Sequence, residues 1–194
     1  MPPPTAEPIP PRHGDCTRLR YDDYANQPDP QRIHGGDLSF AFPGPPSHRV
    51  TTDQYAVGLP AAYDIGGASE TIQPGHNANL FVGAVRSTTK HETARHAAQR
   101  LTRCEIQSYA EQDLKILGTR RLASQAVTID GRSGWSIRTQ TAVDDLQNDA
   151  DGYLIEIIVV DTGKRLSFFT GEIPYPDTER IHRMDRTIDT LQVG

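Results

Sequence analysis

Apolar and polar positions alternate most clearly between Val127 and Pro174, where three strands follow one another. The segments VTIDGRSGWSIRTQTAV, GYLIEIIVV and KRLSFFTGEI are separated by DDLQNDADG and DTG. Polar, Asp- and Gly-rich breaks between β-branched runs are turn chemistry. In YLIEIIVV both alternating sets are apolar: Tyr153, Ile155, Ile157 and Val159 on one side, Leu154, Ile158 and Val160 on the other. A strand apolar on both faces is covered on both faces, which predicts a central position between two layers.

Other segments carry weaker versions of the same signal. Asp37 to Phe42 alternates Leu38, Phe40 and Phe42 before PGPP ends it. NLFVGAVR over Asn79 to Arg86 reads as a strand, with weaker candidates at Gln54 to Leu59, Ala61 to Ile65, Leu114 to Leu117 and Ala126 to Ile129. The last of these leads into the DGRSG turn, after which Trp135, Ile137 and Thr139 share a face. Two stretches have helical spacing. Thr89 and Glu92 stand at capping-box separation, followed by Ala94, Ala97, Ala98 and Leu101 as one apolar stripe, with Cys104 close to it. Asp177 after Pro176 is an N-cap candidate for a final helix with Ile181, Met184, Ile188 and Leu191 buried. No internal repeat is evident.

Proline divides the chain. Of the 15 prolines, 12 lie in the first 60 residues and six in the first 11. PPPTAEPIPP favours extended polyproline II and builds no core, so residues 1–15 read as a spacer and 16–194 as one domain. At 194 residues a chain buries roughly 70% of its unfolded surface and needs no staple to form a core. The net charge of −5 disfavours a nucleic-acid binder, which needs a basic face to displace counterions. Arg12, Arg18 and Arg20 form only a small basic group within that acidic balance. No apolar run approaches the roughly 18 residues of a membrane span, and the start carries neither the basic nor the apolar region of a signal peptide.

The candidate chemistry is thin. Asp161-Thr162-Gly163 after IIVV has the look of an aspartic protease, but that chemistry needs two aspartates sharing a proton, and Lys164 replaces the usual Ser or Thr. A short hairpin turn is the better reading of the tripeptide, since Asp and Gly favour the backbone angles it needs. His91, Glu92 and His96 form H-E-x-x-x-H, one residue longer than the spacing that puts two imidazoles on one helix face. Asp144, Asp145, Asp149 and Asp151 precede Gly152, yet an EF-hand alignment would put Gln147 and Ile158 where acids belong. Gly131 to Trp135 is not a nucleophile elbow, and Gly163-Lys164 lacks the upstream glycine of a phosphate loop. No cofactor and no metal site is expected. Cys16 and Cys104 are the two cysteines, far from any C-x-x-C or His cluster. They can form one disulfide or stay two buried thiols.

The order of these features resembles a family. A Pro-rich leader, CTRLRYDDY, a Phe-Pro-Gly strand end, an Ala-rich helix ending in Arg-Cys, VTIDGRSGWSIR and IIVVDTG resemble actinobacterial membrane-anchored proteins with a PsbP-like extracytoplasmic domain. The likeness covers Cys16 to Val193. It implies an α+β domain: an antiparallel sheet of about six strands with helices packed on both faces. It also implies a Cys16–Cys104 bridge, an extracytoplasmic address, and a membrane anchor before Met1 in the natural protein. That family mostly lacks assigned activity, so no catalytic residue carries over. The first expectation is a non-enzymatic binding module that contacts an envelope protein. The second, suggested by PsbP-like mycobacterial lipoproteins, is a carrier holding a lipid or small apolar ligand between sheet and helix. A hydrolase ranks third. A carrier should show an apolar cavity of about 300 Å3 or more, and a binding module an exposed patch. A hydrolase should show a His beside a Ser or Asp in a cleft.

Overall fold

The structure, a computed structural model, describes residues 16, 24–50, 59, 62–73, 76–89, 91–111, 114–144 and 151–194. The Pro-rich leader 1–15, most of CTRLRYDDY with Arg18 and Arg20, residues 54–58 of one strand candidate, and Asp145 and Asp149 of the acidic loop lie outside the described residues.

Among the described residues the chain forms ten strands and two helices. In order they are β1 (Arg32–Gly35), β2 (Leu38–Ala41), β3 (His48–Val50), β4 (Ala62–Gln73), β5 (His76–Val85), α1 (Ala94–Glu111), β6 (Lys115–Ile129), β7 (Arg132–Asp144), β8 (Gly152–Asp161), β9 (Leu166–Tyr175), α2 (Thr178–Ile188) and β10 (Gln192–Val193). Seven strands form one antiparallel sheet in the order β3-β4-β5-β9-β8-β7-β6. A separate sheet has the order β1-β2-β10. The expected six strands therefore become seven, with a small second sheet that the pattern did not predict.

The strand β8 is central and buried from Gly152 to Val160. Its two apolar sets enter different cores. Ile155, Ile157 and Val159 join Ala97, Ala98 and Leu101 of α1 with Phe81 and Phe168. Leu154, Ile158 and Val160 join Met184 of α2 with Phe169, and here Ile33, Leu38 and Phe40 bring in the small sheet. The second core is thus closed by a sheet and a short helix together. The small sheet reaches that position through glycine. A Cβ on Gly35 would stand 2.3 Å from the Val82 carbonyl oxygen, and one on Gly66 1.9 Å from that of His34. The Gly35-Gly36 pair lets two backbones touch.

Two local expectations need correction. Leu114 to Leu117 and Ala126 to Ile129 are not separate strands; both belong to the continuous 15-residue β6. The interruption in pattern arises because β6 is an edge strand exposed along most of its length, so little selects apolar residues there. Nor is Thr89 the helix cap. The His96 backbone N–H donates to Thr93 Oγ1 at 3.2 Å and α1 starts at Ala94, while Glu92 turns to Arg100. By contrast Asp177 caps α2 as expected, accepting from the Arg180 backbone N–H at 3.0 Å. Asp130 and Gly131, both at positive φ, join β6 to β7 through a two-residue turn, the form whose twist suits a tight hairpin.

Candidate functional site

Cys16 and Cys104 are joined as a disulfide with their Cα atoms 5.2 Å apart, across 88 residues of sequence. Cys104 sits three residues beyond Leu101 on the buried side of α1, at 2% exposure. The bridge fits an oxidising compartment, because reducing cytosol does not sustain such bonds.

The Asp161-Thr162-Gly163 tripeptide is a turn. Asp161 accepts from the Gly163 backbone N–H at 2.9 Å and is itself exposed. The Thr162 hydroxyl donates to Asp37 at 2.7 Å, and Arg165 donates twice to the same carboxylate, at 2.9 and 3.1 Å. Burial pushes Asp37 up, but the hydrogen bonds from Arg165 and Thr162 outweigh it and hold the carboxyl below its ordinary range. The tripeptide therefore clamps the small sheet to the large one. His91 and His96 are both exposed. Among the described residues no group of three or more His, Cys, Asp or Glu is placed to hold a metal ion. The Trp135 ring donates to Ser124 at 3.0 Å and lies 4.7 Å beneath the Arg95 guanidinium, packed against the α1 core instead of lining a groove.

Beneath the C-terminal half of α1 lies a polar cluster that sequence reasoning missed. The Tyr109 hydroxyl donates to Glu172 at 2.6 Å, and the Asn79 amide donates to the other carboxylate oxygen at 3.2 Å. Ser69 donates to Asn79 at 2.7 Å. Tyr153 stacks on Tyr109 at 5.0 Å and meets His76 Nδ1 at 3.1 Å. Burial raises the Glu172 carboxyl above its ordinary value, against the lowering effect of Tyr109 and Asn79. Burial and the adjacent Glu172 raise the Tyr109 phenol as well. A carboxyl of this kind marks active sites, but here it faces a phenol and an amide within the core. Ionisation of Glu172 opposes folding, so its stabilising contribution is full below the ordinary carboxylate range and is lost as pH rises through the raised value. Glu172→Gln keeps the side-chain shape and one of the two acceptor oxygens, and removes that titration. Its stability relative to the parent should increase from pH 4 to pH 8. Urea denaturation at the two pH values checks this; a difference independent of pH would show that burial does not raise the Glu172 carboxyl.

On the α2 side, Ser47, Ala68, Glu70, Ala78, Arg180 and Met184 line a recess of about 10 Å3. That is room for about one water, far below what a lipid needs. Glu70 is engaged there by Arg180 and Arg183.

The outer surface differs at one place. Leu117 and Leu122, 60% and 44% exposed, are the exposed large hydrophobics among the described residues. Both lie on β6, and both are bulge residues. Ile116 faces Val143 while Gly118 faces Ala142, leaving Leu117 unopposed; Arg121 faces Thr139 while Ala123 faces Arg138, leaving Leu122 unopposed. Lys115, Arg120 and Arg121 surround them, and β6 contains no acid. Periodicity conceals this site because a bulge shifts the alternation on which a strand reading rests.

No protein-family model matches the chain, and no curated protein matches it. Solved structures do. The solution structure of cyanobacterial PsbP (CyanoP) from Synechocystis sp. PCC 6803 superposes with a TM-score of 0.52 at 12% identity, covering 88% of this chain and 97% of that one. A protein of unknown function from Pseudomonas aeruginosa, PA94, described as a putative regulator, gives a TM-score of 0.44 at 12% identity, covering 74% of this chain and 94% of that one. At such identity a likeness speaks for architecture alone. The antiparallel sheet of this chain, with its two helices, has a PsbP-like fold.

Proposed function

We propose that this protein is a non-enzymatic extracytoplasmic binding module whose contact surface is the β6 side of the large sheet. The observation that carries the reading is the placement of Leu117 and Leu122: large apolar side chains, exposed together on one edge strand within a basic surround. Exposed apolar patches of this kind mark interaction sites. The Cys16–Cys104 bridge supports an oxidising location. Among the described residues no helix is long and apolar enough to cross a membrane. On this reading an anchor outside the sequence holds the protein at the membrane, residues 1–15 act as spacer, 16–194 form the domain, and the partner is an envelope protein.

The double variant Leu117→Asp/Leu122→Asp tests it. Immobilised parent protein should retain an envelope component that the variant retains at least tenfold less, with unchanged circular dichroism and melting temperature. Equal retention by both would remove β6 as the contact surface. The carrier remains the second reading. It is disfavoured by the small recess beneath α2. Native mass spectrometry separates the two, since a carrier shows extra mass that leaves on denaturation.

A further inference from the structure

We infer that the outer edge of β6 takes up an extended peptide by strand addition along Ala123–Ile129, with acidic residues of that peptide meeting Arg120 and Arg121. The inference rests on the reading of this protein as an interaction module and specifies its partner. Among the described residues β6 is terminal in the sheet and pairs with β7 alone, from Lys115 to Ile129. Its other side is a row of backbone donors and acceptors that a further strand can use.

The two bulges decide where. A bulge breaks regular pairing and twists the edge, so the stretches around Leu117 and Leu122 do not accept a continuous strand. Beyond the second bulge the register with β7 runs without interruption from Ala123 to Ile129. Those seven residues, ASQAVTI, contain no charge and no proline.

Charge decides what. Arg120 meets Gln140 at 3.0 Å, and among the described residues no carboxylate pairs with it or with Arg121. The chain as a whole is acidic, at −5, so this basic end is a local exception. A second copy is a poor occupant, because its β6 contains no acid to meet Arg120 and Arg121. A lipid surface leaves the backbone row without partners. An extended peptide satisfies both features. In antiparallel addition, the arrangement of every neighbouring pair in this sheet, its neutral stretch lies along Ile129 to Ala123 and its acidic residues follow on the C-terminal side.

The test is fluorescence anisotropy with a labelled peptide of alternating Thr and Val followed by Glu-Asp-Glu. Three comparators accompany it: a Lys-tailed peptide, a peptide N-methylated at alternate positions, and phosphatidylglycerol vesicles. Saturable binding is expected, weakened at least tenfold by Arg120→Glu/Arg121→Glu or by the Lys tail and lost on N-methylation. Amide hydrogen exchange should slow within Ala123–Ile129. Absence of binding, protection elsewhere, or equal affinity for the Lys-tailed peptide would overturn strand addition. So would vesicle binding that depends on Arg120 and Arg121 without peptide binding. If the peptide fails while Leu117→Asp/Leu122→Asp still loses the envelope component, strand addition falls and the interaction module stands. If both fail, the module reading falls too.

Discussion

Cys104→Ser is expected to lower the free energy of unfolding by about 4–5 kcal/mol. The bond closes a loop of 88 residues in sequence, and in the chain-entropy description the stabilisation comes mainly from the conformations it denies the unfolded chain. Cys104 is also buried within α1, at 2% exposure, and serine places a hydroxyl where a sulfur packed. Cys16→Ser lacks that second effect, so the two single variants separate the crosslink from the packing. Chemical denaturation of parent, both variants and the dithiothreitol-treated parent checks this. If the reduced parent unfolds at the same denaturant concentration as the oxidised one, the bridge contributes nothing and the case for an oxidising compartment weakens with it. A loss of this size is a large fraction of the roughly 5–15 kcal/mol that holds a domain together.

Arg100→Met is expected to be nearly as damaging, at about 3–5 kcal/mol. Arg100 and Glu92 form an ion pair at 2.9 Å, with side chains 4% and 5% exposed. Arg100 also reaches the Arg86 carbonyl at 3.3 Å, and Glu92 accepts from the Thr88 backbone N–H at 2.9 Å. The pair therefore ties the start of α1 to the end of β5. Removing the guanidinium strands a buried carboxylate, and the penalty is the desolvation of that charge. Burial acts to raise Glu92, but hydrogen bonds from Arg100 and Thr88 prevail and hold it below its ordinary value of 4.5. In the parent its contribution is thus present above pH 4.5 and lost as pH falls through the depressed value. In Arg100→Met burial acts with less opposition, so the deficit should shrink on acidification as Glu92 takes a proton. Arg100→Met/Glu92→Met should recover most of the stability, because an apolar pair of similar volume replaces the ion pair without leaving a charge. Thermal melts at pH 4 and pH 7 decide; a double variant no more stable than Arg100→Met would show that the loss comes from packing.

The segments most legible in the chain were those whose side chains all enter a core. YLIEIIVV announced a central strand because Ile155 and Ile158 both had to be covered, and β8 is buried on both sides. The stripe Ala97, Ala98 and Leu101 and the cap at Asp177 were equally direct. Edges were not legible. Among the described residues β6 has one neighbour and mostly exposed side chains, so its residues answer to solvent and carry no clear period, and its pattern reads as two fragments. The Glu172 cluster was hidden for a different reason. Its members come from β4, β5, α1, β8 and β9, and no spacing rule relates Ser69 to Tyr109.

By itself the sequence determined the central strand, the apolar stripe of α1, the cap of α2 at Asp177, the candidate status of the two cysteines and the weakness of every enzyme motif. These rest on local periodicity and on the short-range geometry of caps and turns, which a linear chain displays. Only the tertiary structure decided that Cys16 meets Cys104, that Asp161-Thr162-Gly163 serves as a clamp on Asp37, and that a small sheet closes the second core through Gly35 and Gly66. It also decided which strand is left at the edge with Leu117 and Leu122 exposed. Each of these depends on contacts between distant residues, and strand order, which sets them, leaves no mark on the local pattern of any one strand.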